Sequence, residues 1–451
     1  DGLITFDTNG EWLDDDSTSL GATSTGTLQA RSGHVYLTAN MASDIVEGAV
    51  NLSGVVDADQ FVSTPGGGLE MIASARQAYP GGTIKVESTG DINIGGGADI
   101  HAIGGDTVAA SFHADRDINM GVNGDPASIT LKAVSMADDN YSGSNTAHAD
   151  ASLEMVAARQ GGAGSLTIAD GVIEVTADAT GTTGMDFAQP ESVSSAVSTA
   201  GGGTTAAATA ILEGAEVDIN ADFEFHARAE TLDTGYGVSG DGSEATDALA
   251  VLDDFANGEI EYDTSHNVIS YGQPGDLTLV GDINVSADSA TVNAENSKAT
   301  ANTVLAATGS SEVTGDIDVD AVATSIPGLY QSVSGGSDAA DANASLVELG
   351  GTPAGLLGLL RDISLNRVAP LGTLSDMLTL TNLDDVLAFF SFVDDPIDFL
   401  NMLGGIGNGD VSYTGDSNVN ALADFSTTGS SQNRPDGLAE ATAAGYFAAG
   451  G

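Results

Sequence analysis

The sequence predicts an all-β fold whose short strands stack in parallel as a β-helix (solenoid), with one short apolar, partly helical insertion. Three observations predict it. Runs of alternating apolar and polar residues recur, each led by glycine or another turn former. A second set of runs alternates on alanine. The 59 glycines and an aromatic content of 5% suit many short strands and tight turns better than one compact core.

In the first set, TGDIDVDAVAT puts Ile317, Val319 and Ala321 on one face. VGDINVSADSA does the same with Ile283, Val285 and Ala287, and DGVIEVTADAT with Ile173, Val175 and Ala177. STGDINIGGGAD repeats the opening with Ile92 and Ile94. AEVDINADFEF extends it through Val217, Ile219, Ala221, Phe223 and Phe225.

The second set runs Ala147, Ala149, Ala151, Leu153, then Ala206, Ala208, Ala210, Leu212. It returns as Ala299, Ala301, Thr303, Leu305 and as Ala340, Ala342, Ala344, Leu346. Looser copies are Ala248, Ala250, Leu252 and Val419, Ala421, Ala423, Phe425. Two strand types in tandem with spacers of variable length are the mark of a solenoid. Ile and Val are expected to stack on Ile and Val, and Ala on Ala, about 4.8 Å apart. At roughly 20 residues per coil, the rod is expected to reach on the order of 90–105 Å. A β-sandwich is the alternative fold, and tandem columns of matching residues are not expected in one.

Charge excludes some partners. Asp and Glu number 65 against 11 Lys and Arg, a formal net charge of −54, so nucleic acid and anionic membrane surfaces are repelled. Hydrophobic residues at 41% are too many for an acidic disordered tail. There is no cysteine, and a long solenoid with a continuous core needs no disulfide. No run of 18 apolar residues occurs, so membrane insertion is not expected. No basic-then-apolar signal segment opens the sequence, which therefore reads as a processed chain or a fragment.

Residues 352–405 break the strand grammar. Thr352-Pro353 and Asp395-Pro396 suit helix starts, and Asn382 leads the acidic pair Asp384 and Asp385 into a first turn. Leu356, Leu357 and Leu360, then Val386, Leu387 and Phe390, recur at helical spacing. The segment is expected either to cover the solenoid's own side or to dock a second subunit.

Residues 32–58, SGHVYLTANMASDIVEGAVNLSGVVDA, resemble the filamentous haemagglutinin-type exoproteins of two-partner secretion. The matching positions are Gly33, Val35, Tyr36, Leu37, Thr38 and Ala39, then Ala49, Val50, Asn51, Ser53, Gly54, Val55, Val56 and Ala58. The opening DGLITF is similar to a strand of that family's secretion domain. The specific match covers about the first 60 residues; beyond it the likeness is one of style. The resemblance implies a right-handed parallel β-helix, export through an outer-membrane β-barrel secretion partner, and a role in adhesion, aggregation or biofilm at the bacterial surface.

Chemistry-bearing motifs are scarce. The histidines (His34, His101, His113, His148, His226, His266) form no H-x-x-x-H pair, and the glycine runs lack the lysine of a phosphate cradle. No G-x-S-x-G elbow is present. A polysaccharide-cleaving site would need clustered basic residues, and only Arg361 and Arg367 lie close together. The sequence is therefore not read as an enzyme.

The acidic outer face is the remaining constellation. If Ile317 and Val319 point inward, Asp316, Asp318 and Asp320 point out, with Asp282 and Asp288 similarly placed. Carboxylates stacked about 5 Å apart repel by roughly 0.8 kcal/mol even in bulk water. Salt screening, or staggering of Asp against Asn and Thr, would relieve this. Calcium, a hard cation taking several oxygens, would also relieve it, which makes these five aspartates the candidate metal ligands. No other cofactor is indicated.

The sequence divides into residues 1–60, the end of a secretion-domain-like β-helix; 61–351, an acidic shaft; 352–405, the apolar insertion; and 406–451, where the β-helix resumes. The function expected is structural: a segment of a large secreted fibre or adhesin. A self-assembling extracellular filament or sheath subunit, joined through 352–405 and the chain ends, is the alternative. A polysaccharide-processing β-helix is the weakest option.

Overall fold

The computed structural model describes, apart from connections between strands, residues 83–183, 204–353, 409–425 and 438–449, with Leu357, Leu360, Ser364 and Leu365. Between residues 3 and 70 it describes short strands and their pairing.

The fold is all-β and its two large sheets are parallel. The first sheet has ten strands, from Leu3–Asn9 and His34–Asn40 through Thr83–Ser88, Thr107–Ala114, His148–Val156, Thr204–Gly214, Ala245–Ala256, Asn296–Ala307 and Ala339–Gly350 to Leu438–Ala449. The second has sixteen strands in two side-by-side columns. One column includes Ile92–Gly95, Leu277–Val280 and Ser311–Thr314; the other includes Ala127–Ala137, Ile283–Val292 and Ile317–Ile326. The long strands Ser165–Thr183 and Glu216–Asp233 run through both columns. From Thr83 onward the chain alternates between the sheets, adding the next parallel strand at each visit.

Period-two alternation decides which side is inside. Ile173, Val175, Ile283, Val285, Ile317 and Val319 are all buried to 1% exposure or less, as the first strand set predicts. They stack in parallel register, Ile173 on Phe223, Ile283 and Ile317, and Val175 on Phe225, Val285 and Val319. The alanine set lines the first sheet: Ala151, Ala208, Ala250, Ala301 and Ala344 form one column, all buried. The inward faces of both sheets share one apolar core.

Register corrects the expectation in detail. Ala149, not Ala147, stands against Ala206, and Ala299 stands against Ala342, not Ala340. A slip of two residues preserves the buried face, so the alternation is blind to it. The loose copy Val419, Ala421, Ala423 belongs to the second sheet, where Ala421 pairs with Ala321. The spacing of stacked strands along the chain differs from the expectation too. Between 26 and 100 residues separate stacked partners such as Asn93 and Asn119, or Asp318 and Asn418. Ten stacked strands at about 4.8 Å give roughly 45 Å, half the expected length.

Where the second sheet passes into the first, several buried hydroxyls bond to one another. Thr231 Oγ1 lies 2.8 Å from Thr204 Oγ1 and 2.7 Å from Thr246 Oγ1. Ser297 donates to Ser289 Oγ at 2.8 Å, and Ser289 donates to the Thr246 carbonyl at 2.6 Å. Such pairing lets a polar seam run beside an apolar core.

Candidate functional sites: an acidic turn column, a covered face and buried carboxyls

Each strand Ile283–Val292, Ile317–Ile326 and Ser417–Phe425 is entered through a Gly-Asp turn: Gly281-Asp282, Gly315-Asp316 and Gly415-Asp416. These glycines have φ of +144°, +143° and +149°. A Cβ on Gly315 would come within 2.0 Å of the Gly281 carbonyl oxygen, so the turns stack only because no side chain intervenes. The carboxylates bind the column together. Asp222 Oδ1 accepts from the Asp282 amide at 3.0 Å, Asp282 Oδ1 from the Asp316 amide at 2.9 Å, and Asp316 Oδ1 from the Asp416 amide at 2.9 Å.

The outer face beyond the turns is staggered. Asp318 stacks between Asn284 and Asn418, and Asp320 between Ser286 and Asn420. Asn418 Nδ2 donates to Asp318 Oδ1, and Asn420 Nδ2 to Asp320 Oδ1, both at 2.8 Å. Asp288 lies between Arg228 and Val322. Carboxylate therefore does not face carboxylate on these strands: amide, hydroxyl and guanidinium groups alternate with the acids. Of the five candidate calcium ligands, Asp282 and Asp316 meet in the turn column, Asp318 and Asp320 share one strand face, and Asp288 stands apart. Among the described residues no three His, Asp or Glu side chains are grouped to hold a metal ion.

The second feature is on the outside of the first sheet. On Ala245–Ala256, Asn296–Ala307 and Ala339–Gly350 the outward residues Val251, Phe255, Val304, Ala306 and Val347 are buried along with the inward ones. Leu357 and Leu360, in helical conformation, are buried at 1% and 2% exposure. Ser364, also helical and fully buried, donates its hydroxyl to Asp253 Oδ1 at 2.7 Å, and its carbonyl accepts from Asn302 Nδ2 at 2.8 Å. Asp253 and Asn302 are outward residues of this face. The segment carrying Ser364 is thus fastened to the molecule's own sheet. Of residues 352–405, Thr352, Pro353, Leu357, Leu360, Ser364 and Leu365 are described; the others, including Asn382, Asp384 and Asp395-Pro396, lie outside the described residues.

The third feature escaped sequence reading. One inward column of the first sheet runs Val86, Phe112, Met155, Leu212, Asp254, Leu305 and Glu348, all buried, and ends on the exposed Phe447. Two carboxyl groups therefore occupy positions otherwise given to large apolar side chains, and both residues are at 0% exposure. Neither oxygen of Asp254 has a hydrogen-bond partner. Burial, with Asp253 beside it, raises the Asp254 pKa well above the usual range. Glu348 Oε1 accepts from Ser311 Oγ at 3.0 Å while Oε2 has no partner. Burial pushes the Glu348 carboxyl up to about 7, with the Ser311 bond opposing the shift. Continuing the parity of Ala248, Ala250, Leu252 by one step would have placed Asp254 inside.

No helix among the described residues is long and apolar enough to cross a membrane. Comparison with protein-family models, curated proteins and solved structures found no match.

Proposed function

We propose that the chain winds as a right-handed parallel β-helix and forms a shaft segment of a large secreted surface fibre of the filamentous haemagglutinin type. The observation that carries this reading is the joint growth of the two parallel sheets, one visit to each in turn, around columns of matching apolar side chains. A stack built that way extends by repetition and can hold a distal part of a protein away from a cell.

Two further observations support it. The segment with the family resemblance supplies His34–Asn40 to the first sheet and Val50–Leu52 and Val55–Asp59 to the second, the sheets that the rest of the shaft continues. The charge of −54 keeps such fibres soluble and apart. In this reading an outer-membrane β-barrel exports the chain, which acts at the bacterial surface in attachment, aggregation or biofilm. The intramolecular fastening of Ser364 favours a covering role for residues 352–405 over a docking role.

Antibodies to this region, applied to intact producing bacteria, should decorate thin surface fibres in electron micrographs. Deleting the coding region should reduce attachment or biofilm. Labelling confined to the cytoplasm, or unchanged attachment after deletion, would overturn the proposal.

A further inference from the structure

The interior column of the first sheet contains its own anomaly. Asp254 is held between Leu212 and Leu305, and Glu348 between Leu305 and Phe447. Asp254 meets no donor and Glu348 only Ser311, and an ionised carboxyl without a counter-charge is strongly disfavoured in such a place. No cation faces either group among the described residues. The strand of Asp254 packs against Glu216–Asp233 and Ile283–Val292, whose described charged residues alternate onto the outer face, as do Glu213 and Lys298 on the adjoining strands. Its one charged neighbour is Asp253, on the reverse face of its own strand and beneath Ser364. Glu348 meets Ser311 and lies near Tyr413, whose hydroxyl is held against the Asp416 carbonyl at 2.7 Å; Asp316 and Asp416 are in the turns beyond. The remaining charged residues of the strands around Glu348, namely Glu312, Asp318, Asp320, Asp341, Asp424 and Glu440, point outward.

We propose that the strands from Ala245–Ala256 to Leu438–Ala449, with the Ser364 segment fastened to them, form a proton-dependent unit that is tight while Asp254 and Glu348 are neutral and loosens when they ionise. The unit has a boundary: the same column is wholly apolar at Val86, Phe112, Met155 and Leu212, so no interior carboxyl loads the earlier strands, where Asp150, raised by burial, lies on the outer face. Both groups are acids that bind their proton more tightly folded than unfolded. Their contribution is therefore fully present below the ordinary carboxyl range and is lost as pH rises, for Glu348 between about 4.5 and about 7. Asp253 and Asp254 occupy opposite faces of one strand, so charge in the core and attachment of the Ser364 segment are linked through a single backbone.

Hydrogen exchange by mass spectrometry tests this, with rates corrected for intrinsic pH dependence. Protection in residues 246–256, 297–307 and 340–350 should fall roughly tenfold or more between about pH 5 and pH 8. Residues 108–114 should hold theirs. The double variant Asp254→Leu, Glu348→Met should keep protection across the range. Uniform protection in the natural protein, or an equal loss in the variant, overturns the proposal. Should the variant not fold, infrared spectroscopy of the natural protein decides: a protonated-carboxyl band should persist at about pH 6, where ordinary carboxyls are ionised, and its absence there overturns the proposal equally.

Discussion

Asp282 holds the backbone N–H of Asp316 through its carboxylate at 2.9 Å, and Asp316 holds that of Asp416 in the same way. An acidic side chain at a turn thus works as a latch between successive strands. Asp316→Ala should remove one latch and cost about 0.5–1.5 kcal/mol, the usual net worth of a hydrogen bond. Asp316→Asn keeps an acceptor oxygen and should recover most of it. Exchange of the Asp416 amide reads the difference directly, and equal rates in the two variants would dismiss the latch.

The glycine beside that latch should be less replaceable than the acid. Gly315 has φ of +143°, and a Cβ there would meet the Gly281 carbonyl oxygen at 2.0 Å. Gly315→Ala should cost on the order of 1–3 kcal/mol from backbone conformation alone, with the steric clash added. A denaturant melt in which this variant matches the natural protein would show that the turn column yields freely.

These turns also show how far sequence could be read. Ile317, Val319 and Ala321 announce a buried face because alternation is a local property, and the structure buries all three. Pairing partners are not local. Nothing in Ala147, Ala149, Ala151 says which alanine meets Ala206, since a two-residue slip buries the same side chains. Loop length likewise has no signature in the strands, which is why stacked partners lie further apart in the chain than the strands themselves suggest. The acids divided similarly. Asp318 was legible as outward, but its partner Asn418 lies 100 residues away. Asp254 was hidden in the doublet Asp253-Asp254, of which one member must point inward on any strand.

Val319 offers a sharp test of the buried column. It stands between Val285 and Val419 at 0% exposure. Val319→Asp would put a charge in a stack with no counter-ion, at a cost of about 3–5 kcal/mol. Amide protection should be lost across residues 312–324. Unchanged protection there would refute the inward placement.

Divalent cations should stabilise the protein mainly by screening. Asp318 and Asp320 are already met by Asn418 and Asn420, while Asp282 and Asp316 accept backbone amides. Calcium and magnesium at equal ionic strength should therefore raise Tm alike, because −54 of net charge repels itself. A larger rise with calcium that disappears in Asp318→Asn, Asp320→Asn would instead establish specific binding on this face.

Removing residues 353–404, with the flanks joined by a Gly-Ser turn, tests what those residues cover. Val251, Phe255, Val304 and Val347 face outward from the first sheet and are buried at 2% exposure or less. Ser364 is bonded to Asp253 and Asn302 on that same face. Deletion should uncover the four apolar side chains and leave Asn302 without the Ser364 carbonyl. Fully burying a Val or Phe side chain is worth about 1.5–3 kcal/mol, so four together are roughly 6–12 kcal/mol, enough to drive association once exposed. The deletion variant should scatter light strongly and bind a hydrophobic dye, and adding back polar residues at Val251 and Val304 should suppress both. A monodisperse, soluble deletion variant would mean instead that the segment serves a contact between molecules.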